Sequence, residues 1–146
     1  YEGKRLCHTG KITTKSKNLG KFFKQKSKSC VIISSVVPKA TKTIKKIFKD
    51  RIFEIKHKDV KIKNLYKNKK QAGIDRLLAS FAAFKKYGTP LIVIDFGTAT
   101  TFNIVSKKGE FLGGIILPGI RMWKEYLYFK TAKLPNVRLK KPKNFI

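Results

Sequence analysis

The sequence predicts an α/β fold in which helices flank mixed sheets, and four stretches support that prediction. Residues 91–94 form a continuous apolar run that ends at Asp95, and residues 101–105 alternate apolar and polar side chains, as two neighbouring strands do. Residues 30–37, CVIISSVV, are rich in β-branched side chains and predict a strand that is buried on both faces. Residues 73–87 have apolar side chains at helical spacing, and Gly88 and Pro90 then end the helix.

The other elements are predicted in chain order. Residues 1–14 contain a strand fragment, residues 41–49 a helix, and residues 51–56 a short strand. The helix in residues 73–87 is expected to bury one stripe: Leu77, Leu78, Phe81, Ala82 and Phe84. After residues 91–105, the turn 106–109 leads into the last strand of a β-meander, which ends at Pro118. An amphipathic helix follows, and its predicted buried face is Met122, Trp123, Tyr126 and Phe129.

The strongest compositional feature is a formal charge of +27 over 146 residues, the size of one domain or of a piece of something longer. Such a charge attracts nucleic acid or anionic membranes, but the bases are nearly all Lys and are scattered through every segment. We therefore interpret them as a solvated surface and expect no specific nucleic-acid partner and no membrane partner. Cys7 and Cys30 form no metal or disulfide motif, which predicts free thiols in a reducing cytoplasm.

The turn that follows Asp95 has two interpretations. Asp, Gly and Thr are ordinary hairpin residues, so residues 95–98 can be a turn and nothing more. In the functional interpretation, Gly97 lets the backbone approach a ligand and the N–H groups around Thr98 converge on a phosphate. Asp95 would then hold a cation that in turn contacts the phosphate.

The start of the helix in residues 73–87 is open to two interpretations as well. Asp75 and Arg76 lie in its first turn, where an Asp is commonly the N-cap residue. The functional alternative makes Asp75 a proton acceptor in a cleft, with Arg76 beside it to bind an anionic group of the substrate.

A series of motifs in one order resembles the type III pantothenate kinases. These motifs are LCHTGKITT, ISSVVP, GIDR, IDFGTATTFNIV, GEFLGGIILPGIRM and TAKLP, and they cover most of residues 6–135. The resemblance implies an actin-like ATPase (ribonuclease H-like) fold and the phosphorylation of pantothenate, at the start of coenzyme A synthesis. It favours the functional interpretation of both Asp75 and the turn after Asp95.

The resemblance also assigns roles to residues of this chain. Asp75 is implied to be the proton acceptor for the pantothenate hydroxyl, within a substrate-binding run of Gly73, Ile74 and Arg76 that Tyr66 precedes.

Three further residues are implied to serve ATP, which is bound with Mg²⁺. Thr98 corresponds to an ATP-contacting threonine, with Gly97 beside it, and Asp95 to the acid that holds a monovalent cation, K⁺ or NH₄⁺. Phosphoryl transfer is mostly positioning and charge neutralisation, so these groups suit it. The family's homodimer and cytoplasmic location are implied too.

The resemblance implies two lobes, and the chain departs from the family pattern in several places. Residues 1–72 correspond to an N-terminal lobe without its first strand and its DxGNT phosphate motif. Residues 73–146 correspond to the linking helix and the start of a C-terminal lobe, before a GxNT run. Asn103 stands where the family often has Asp. We expect the 146 residues alone to be inactive as an enzyme. The alternative function is that of a non-catalytic basic module, or of a degenerate remnant, that binds nucleic acid non-specifically.

Overall fold

The computed structural model describes residues 30–140, apart from the side chain of Lys70. The strand fragment predicted in residues 1–14 and the motif LCHTGKITT lie outside the described residues, as do residues 141–146. Contacts divide the described chain into two compact units. The first comprises residues 30–61 with Gly73–Leu78, and the second comprises Ile62–Ala72 with residues 79–140. The two-lobe division at residue 72 stays a prediction.

A parallel β-α-β arrangement forms most of the first unit. Strand β1 (Val31–Ile33) leads to helix α1 (Pro38–Phe48), and strand β2 (Ile52–Glu54) then pairs with β1 in parallel, with Val31 opposite Ile52. Parallel strands need such a crossover, and Pro38 suits the first helical position because its missing N–H has no helical partner there. Phe48, at the end of α1, is 1% exposed and belongs to the core.

The strand predicted from CVIISSVV is shorter and less buried than expected. Only three of its residues are in β1, Ile33 is buried, and Ile32 is 73% exposed. Ile32 projects from the face of β1 opposite to Ile33, so its exposure shows that no described residue covers that face. The prediction of burial on both faces is therefore wrong for the described residues.

The second unit is built on a four-stranded sheet whose order confirms the predicted meander. Strands β4 (Leu91–Phe96), β5 (Ala99–Val105) and β6 (Glu110–Pro118) are antiparallel neighbours, and the two-residue strand β3 (Lys63–Asn64) pairs with β6 in parallel. The sheet order is β3-β6-β5-β4, so β4 forms one edge.

An ion pair holds the short strand β3 to the meander. Lys63 Nζ lies 2.7 Å from Glu110 Oε1, and the Ser106 hydroxyl donates to Glu110 Oε2 at 3.3 Å. The hydrogen bond from Lys63, followed by its charge, lowers the pKa of Glu110 despite the opposing effect of desolvation.

Helix α2 (Ile74–Tyr87) confirms the predicted helix but rotates its buried stripe. Ile74, Leu77 and Ser80 are buried, whereas Ala82, which was predicted to be buried, is exposed. Within the second unit, a Cβ added at Gly109 would lie 2.8 Å from the ring of Phe84, so this glycine lets the helix approach the turn before β6. Ile74, Leu77 and Ser80 follow one another at intervals of three residues, so they lie on one face of the helix. Because Ser80 is buried and Ala82 is exposed, apolar character alone does not determine which face is buried.

Helix α3 (Ile120–Lys130) forms where an amphipathic helix was predicted, but the prediction that it is buried is wrong. None of its residues is buried. The four residues of the predicted buried face are exposed, from 46% for Trp123 to 75% for Phe129. Six residues of the helix line an open groove of about 580 Å³: Met122, Trp123, Glu125, Tyr126, Phe129 and Lys130.

No helix in residues 30–140 is both long and apolar enough to cross a membrane. Within the same residues, no group of three or more His, Cys, Asp or Glu side chains could hold a metal ion, and Cys30 is an exposed free thiol.

Candidate functional site

The turn between β4 and β5 is fixed by the glycine that precedes helix α3. Gly97 N–H donates to Ala99 O at 3.0 Å, and Gly119 N–H donates to Thr98 O at 2.9 Å. A Cβ added at Gly119 would collide with the carbonyl oxygens of Gly97 and Thr98. Gly119 has φ −69°, an ordinary value for any residue, so close approach to the turn is what favours glycine here.

This contact places the exposed residues Gly97 and Thr98 beside the N-terminus of an 11-residue helix. Gly119 is the N-cap of α3, no side chain caps the helix, and its first turn contains no acidic residue. The first N–H groups of a helix have no partner within the helix and carry a partial positive charge. Together with the Thr98 hydroxyl, they form a donor set that suits a phosphate.

Asp95 lies on β4, two residues before the turn, and its side chain is exposed. Its partner across the sheet is Thr101, whose hydroxyl accepts a hydrogen bond from Asn103 Nδ2 at 3.1 Å. Asn103 is fully buried, and its Nδ2 also donates to Val93 O at 3.5 Å. Because alternate residues of a strand share a face, these four side chains lie on the face of the sheet that carries Asp95. The buried amide of Asn103 thus connects β5 to β4, the strand that carries Asp95.

Asp75 occupies the second residue of α2 and is exposed. The interpretation of Asp75 as the N-cap is wrong, because the helix begins at Ile74 and the carbonyl of Gly73 accepts the first helical hydrogen bond, from Leu77 N–H at 3.2 Å. Asp75 Oδ1 instead accepts from Arg76 N–H at 2.9 Å. A Cβ added at Gly73 would collide with Oδ1, so the glycine leaves space for this orientation of the carboxylate.

The other predicted substrate residues differ in exposure. Ile74 is 6% exposed, so its side chain belongs to the core and only its backbone is left for a ligand. Arg76 is half-buried. Tyr66 is half-buried in the second unit, where its backbone N–H donates to Asn64 Oδ1 at 2.9 Å. Its ring lies over Gly113, where an added Cβ would be 2.7 Å from Cδ2.

Within the second unit, the turn after Asp95 and the start of α3 come together, as a phosphate site requires. The groove along α3 contains none of the predicted site residues. Sequence reasoning missed the contact of Gly119 with the turn, although the Pro-Gly pair before an amphipathic helix was a usable signal. It also missed the bond between Asn103 and Thr101, which depends on burial that the alternating pattern does not specify.

A mixed α/β chain with sheets flanked by helices is consistent with the class of proteins that have the actin-like ATPase fold. Comparison with protein families then gives a narrower answer. The family model described as type III pantothenate kinase matches residues 2–146, and the chain belongs to this family.

Curated relatives agree with the family match. The chain is 48% identical over 118 residues to the type III pantothenate kinase of Koribacter versatilis (strain Ellin345), covering 77% of this chain and 43% of the relative. It is 46% identical over 128 residues to that of Persephonella marina (strain DSM 14350 / EX-H1), covering 84% and 50%. For Citrifermentans bemidjiense, the identity is 44% over 122 residues, covering 80% and 48%. The chain spans about half the length of the curated relatives it matches, and nothing in these matches favours the alternative of a basic binding module.

Proposed function

We propose that this chain acts in an ATP-dependent pantothenate kinase, which forms 4′-phosphopantothenate at the first step of coenzyme A biosynthesis. One observation carries the proposal: in a chain of this family, Asp75 presents an exposed carboxylate at the start of α2, in space left by Gly73. An exposed carboxylate within hydrogen-bond reach of a substrate hydroxyl can accept its proton.

In the proposed reaction, the hydroxyl oxygen of pantothenate attacks the terminal phosphorus of ATP, and Asp75 accepts the hydroxyl proton. The bond from that phosphorus to its bridging oxygen breaks, and ADP leaves. Arg76 binds an anionic group of the substrate, and the backbone of Gly73 and Ile74 completes this binding run. Tyr66 contacts the same substrate, and the contact with Gly113 limits the positions of its ring. A positioned base contributes about 10²- to 10⁴-fold to the rate.

We assign the binding of the ATP phosphates to Gly97, Thr98 and the first N–H groups of α3. ATP with Mg²⁺ supplies the phosphoryl group and neutralises its charge when bound. The donor set of the turn fits phosphate oxygens, because hydroxyl and backbone N–H groups donate without requiring a change in protonation. Thr98 is exposed, and Gly119 holds its carbonyl through the 2.9 Å hydrogen bond, which keeps the turn beside the helix.

Asp95 is assigned to a monovalent cation, K⁺ or NH₄⁺. A single exposed carboxylate with the hydroxyl of Thr101 opposite it on the next strand offers oxygen ligands of low total charge. Such a set suits a weakly bound monovalent ion better than a divalent ion, which favours several carboxylates.

We further propose that the enzyme is a cytoplasmic homodimer. The exposed apolar side chains of α3 support the dimer, because a groove of about 580 Å³ lined by aromatic residues is typical of surfaces that bind another chain. The free thiol of Cys30 suits a reducing compartment.

The test uses a joined protein, in which this chain is flanked by the residues of the Persephonella marina relative that lie outside the aligned stretch. We expect ATP-dependent formation of 4′-phosphopantothenate, and Asp75→Asn should lower turnover by about 10²- to 10⁴-fold. Asp50→Asn is the matched control, because Asp50 is another exposed Asp of the first unit. Equal activity of Asp75→Asn and Asp50→Asn, with unchanged circular dichroism, would contradict the role of Asp75.

A further inference from the structure

Tyr66 directly follows a short stretch of backbone that is bound to the meander. Strand β3 pairs in parallel with β6, and beyond its end the backbone N–H of Leu65 still donates to Phe111 O at 2.9 Å. The next N–H, that of Tyr66, donates to the side chain of Asn64 instead. Strand β6 therefore fixes the backbone up to the residue before the tyrosine.

The side chain of Asn64 fixes the start of the loop that carries Tyr66. Its Oδ1 accepts from Tyr66 N–H at 2.9 Å, and its Nδ2 donates to Lys69 O at 3.4 Å. An Asn that accepts from the N–H two residues ahead forms an Asx turn, which takes the place of a backbone turn. One half-buried side chain thus binds both ends of residues 66–69.

The ring of Tyr66 lies over an irregular part of β6. Leu112 has no partner on β5, because its neighbours Phe111 and Gly113 are opposite successive residues of that strand. Gly113 is buried and has φ +107°, a value that favours glycine. A bulge of this kind changes the direction in which a strand presents its residues, and bulges are frequent next to active sites.

The contact between Gly113 and the tyrosine ring is closer than any larger residue allows. A Cβ added at Gly113 would lie 2.7 Å from Cδ2, 3.1 Å from Cε2 and 3.8 Å from Cγ of Tyr66. Non-bonded carbon atoms pack at about 3.5–4.0 Å, so the ring would have to move by about 1 Å. A rotation about χ1 that moves Cδ2 this far moves the hydroxyl oxygen further, because that oxygen lies further from the rotated bond. Glycine at this position therefore determines where the phenol hydroxyl lies.

The hydroxyl of Tyr66 is left available for a ligand. Within residues 30–140, the hydrogen bond of Tyr66 is made by its backbone N–H, and its hydroxyl has no partner. A ligand that binds a side chain already held in place does not have to order that side chain, which increases the affinity. A ring fixed along one edge, with an unpaired hydroxyl at its end, suits the binding of a substrate oxygen.

We propose that Gly113 and Asn64 are positioning residues of the pantothenate site, and that both act through Tyr66. Gly113 sets the place of the ring, and Asn64 sets the place of the backbone that carries it. The hydroxyl of Tyr66 then donates to an oxygen of pantothenate. The inference rests on the proposed function, because it takes Tyr66 as a substrate-binding residue.

The test compares two glycines of the joined protein that differ in the ring above them. Gly113→Ala and Gly109→Ala both place a Cβ on backbone of positive φ, +107° and +73°. Both bring that Cβ close to an aromatic ring, 2.7 Å from Tyr66 in one variant and 2.8 Å from Phe84 in the other. Both variants should therefore have a lower midpoint of thermal unfolding than the parent.

Only Gly113→Ala should weaken the binding of pantothenate. Its Kd, measured by titration calorimetry without ATP, should rise about tenfold, as expected for the loss of one hydrogen bond. The KM for pantothenate should rise with it, while kcat stays within about twofold, because the contact is made equally in the bound substrate and in the transition state. Gly109→Ala should keep the parent Kd and KM.

Two further comparisons test whether the effect passes through Tyr66. In a protein that already carries Tyr66→Ala, no ring remains to be displaced, so adding Gly113→Ala should change the Kd by less than about twofold. Asn64→Ala should raise the Kd about three- to tenfold, whereas Asn64→Asp keeps the oxygen that accepts from Tyr66 N–H and should stay near the parent. The Asn64 variants decide the inference if Gly113→Ala does not fold.

Three results would overturn the inference alone. These are the parent Kd in a folded Gly113→Ala, equal rises in Gly113→Ala and Gly109→Ala, and a rise that persists when Tyr66→Ala is already present. Equal Kd values for Asn64→Ala and Asn64→Asp would remove Asn64 from the proposal. A joined protein that neither binds nor phosphorylates pantothenate would contradict the proposed function, and this inference with it.

Discussion

Replacing Gly119 by Ala tests whether the phosphate-type turn is held by close backbone contact. The added Cβ would collide with two carbonyl oxygens and lie 2.8 Å from the carbonyl carbon of Thr98. These are backbone atoms, so no side-chain rotation relieves the contact and the turn itself must move. Overpacking of this kind costs about 1–3 kcal/mol. At about 2–4 °C per kcal/mol, the midpoint of thermal unfolding should fall by roughly 2–12 °C.

The control is Gly97→Ala in the same turn. A Cβ there meets only Ala99 O, at 3.6 Å, which is an ordinary van der Waals distance. We expect its free energy of unfolding to stay within about 0.5 kcal/mol of the parent chain. Both variants are compared by urea unfolding, followed by the circular dichroism and the fluorescence of Trp123, which lies in α3.

A third variant, Gly119→Ser, separates the contact from helix capping. Serine is a better N-cap residue than alanine, by about 0.5–2 kcal/mol, but its Cβ would make the same collision. We therefore expect Gly119→Ser to remain less stable than the parent. Parent-like stability of Gly119→Ser, or equal losses in Gly97→Ala and Gly119→Ala, would refute the reasoning.

Three further predictions concern the orientation of Asp75, the buried amide of the sheet and the ion pair of Glu110 with Lys63. Gly73→Ala should change the free energy of unfolding by less than about 1 kcal/mol, because the flexible carboxylate of Asp75 can rotate away from the added Cβ. Turnover of the joined protein should nevertheless fall at least about tenfold, because the proton acceptor moves. Asn103→Ala should cost about 1–3 kcal/mol in urea unfolding, because it removes a fully buried amide and its hydrogen bonds. Glu110→Gln should be less stable than the parent at neutral pH and equally stable in acid. Lys63 lowers the pKa of Glu110 in the folded chain, so the ionised carboxylate stabilises the fold. That stabilisation is complete above the ordinary pKa of Glu and is lost as pH falls through the lowered pKa of the folded chain.

Each of these three predictions has a contradicting result. Full turnover in Gly73→Ala would show that the orientation of the Asp75 carboxylate does not matter. Unchanged stability in Asn103→Ala would mean that water replaces the amide. A stability difference between Glu110→Gln and the parent that persists equally in acid would assign the effect to packing and not to charge.

Local pattern was sufficient for most elements of the described chain. The apolar run 91–94, the alternation in 101–105 and the turn 106–109 predicted the meander, which forms with its last strand ending at Pro118. These predictions succeed because strand alternation and turn residues act over a few neighbouring positions. The family resemblance, confirmed by the match to residues 2–146, also came from motif order alone.

Burial could not be predicted in the same way. Trp123 and Phe129 have helical spacing and apolar side chains, yet both are exposed, because burial requires a second surface and spacing does not supply one. Asp75 was interpreted as an N-cap from its place in the first turn, but the helix begins one residue earlier, at Ile74. Helix boundaries depend on which carbonyl the first N–H reaches, and that depends on the fold around it.

The sequence by itself therefore determined the order of strands and helices, the family, and the two acids worth testing. Only the tertiary structure decided that Gly119 holds the turn at Thr98, that Asn103 is buried beside Thr101, and that Ile92, Ile94 and Phe96 are exposed. The physical reason is that propensities and turns are local, whereas close approach and burial depend on residues distant in sequence.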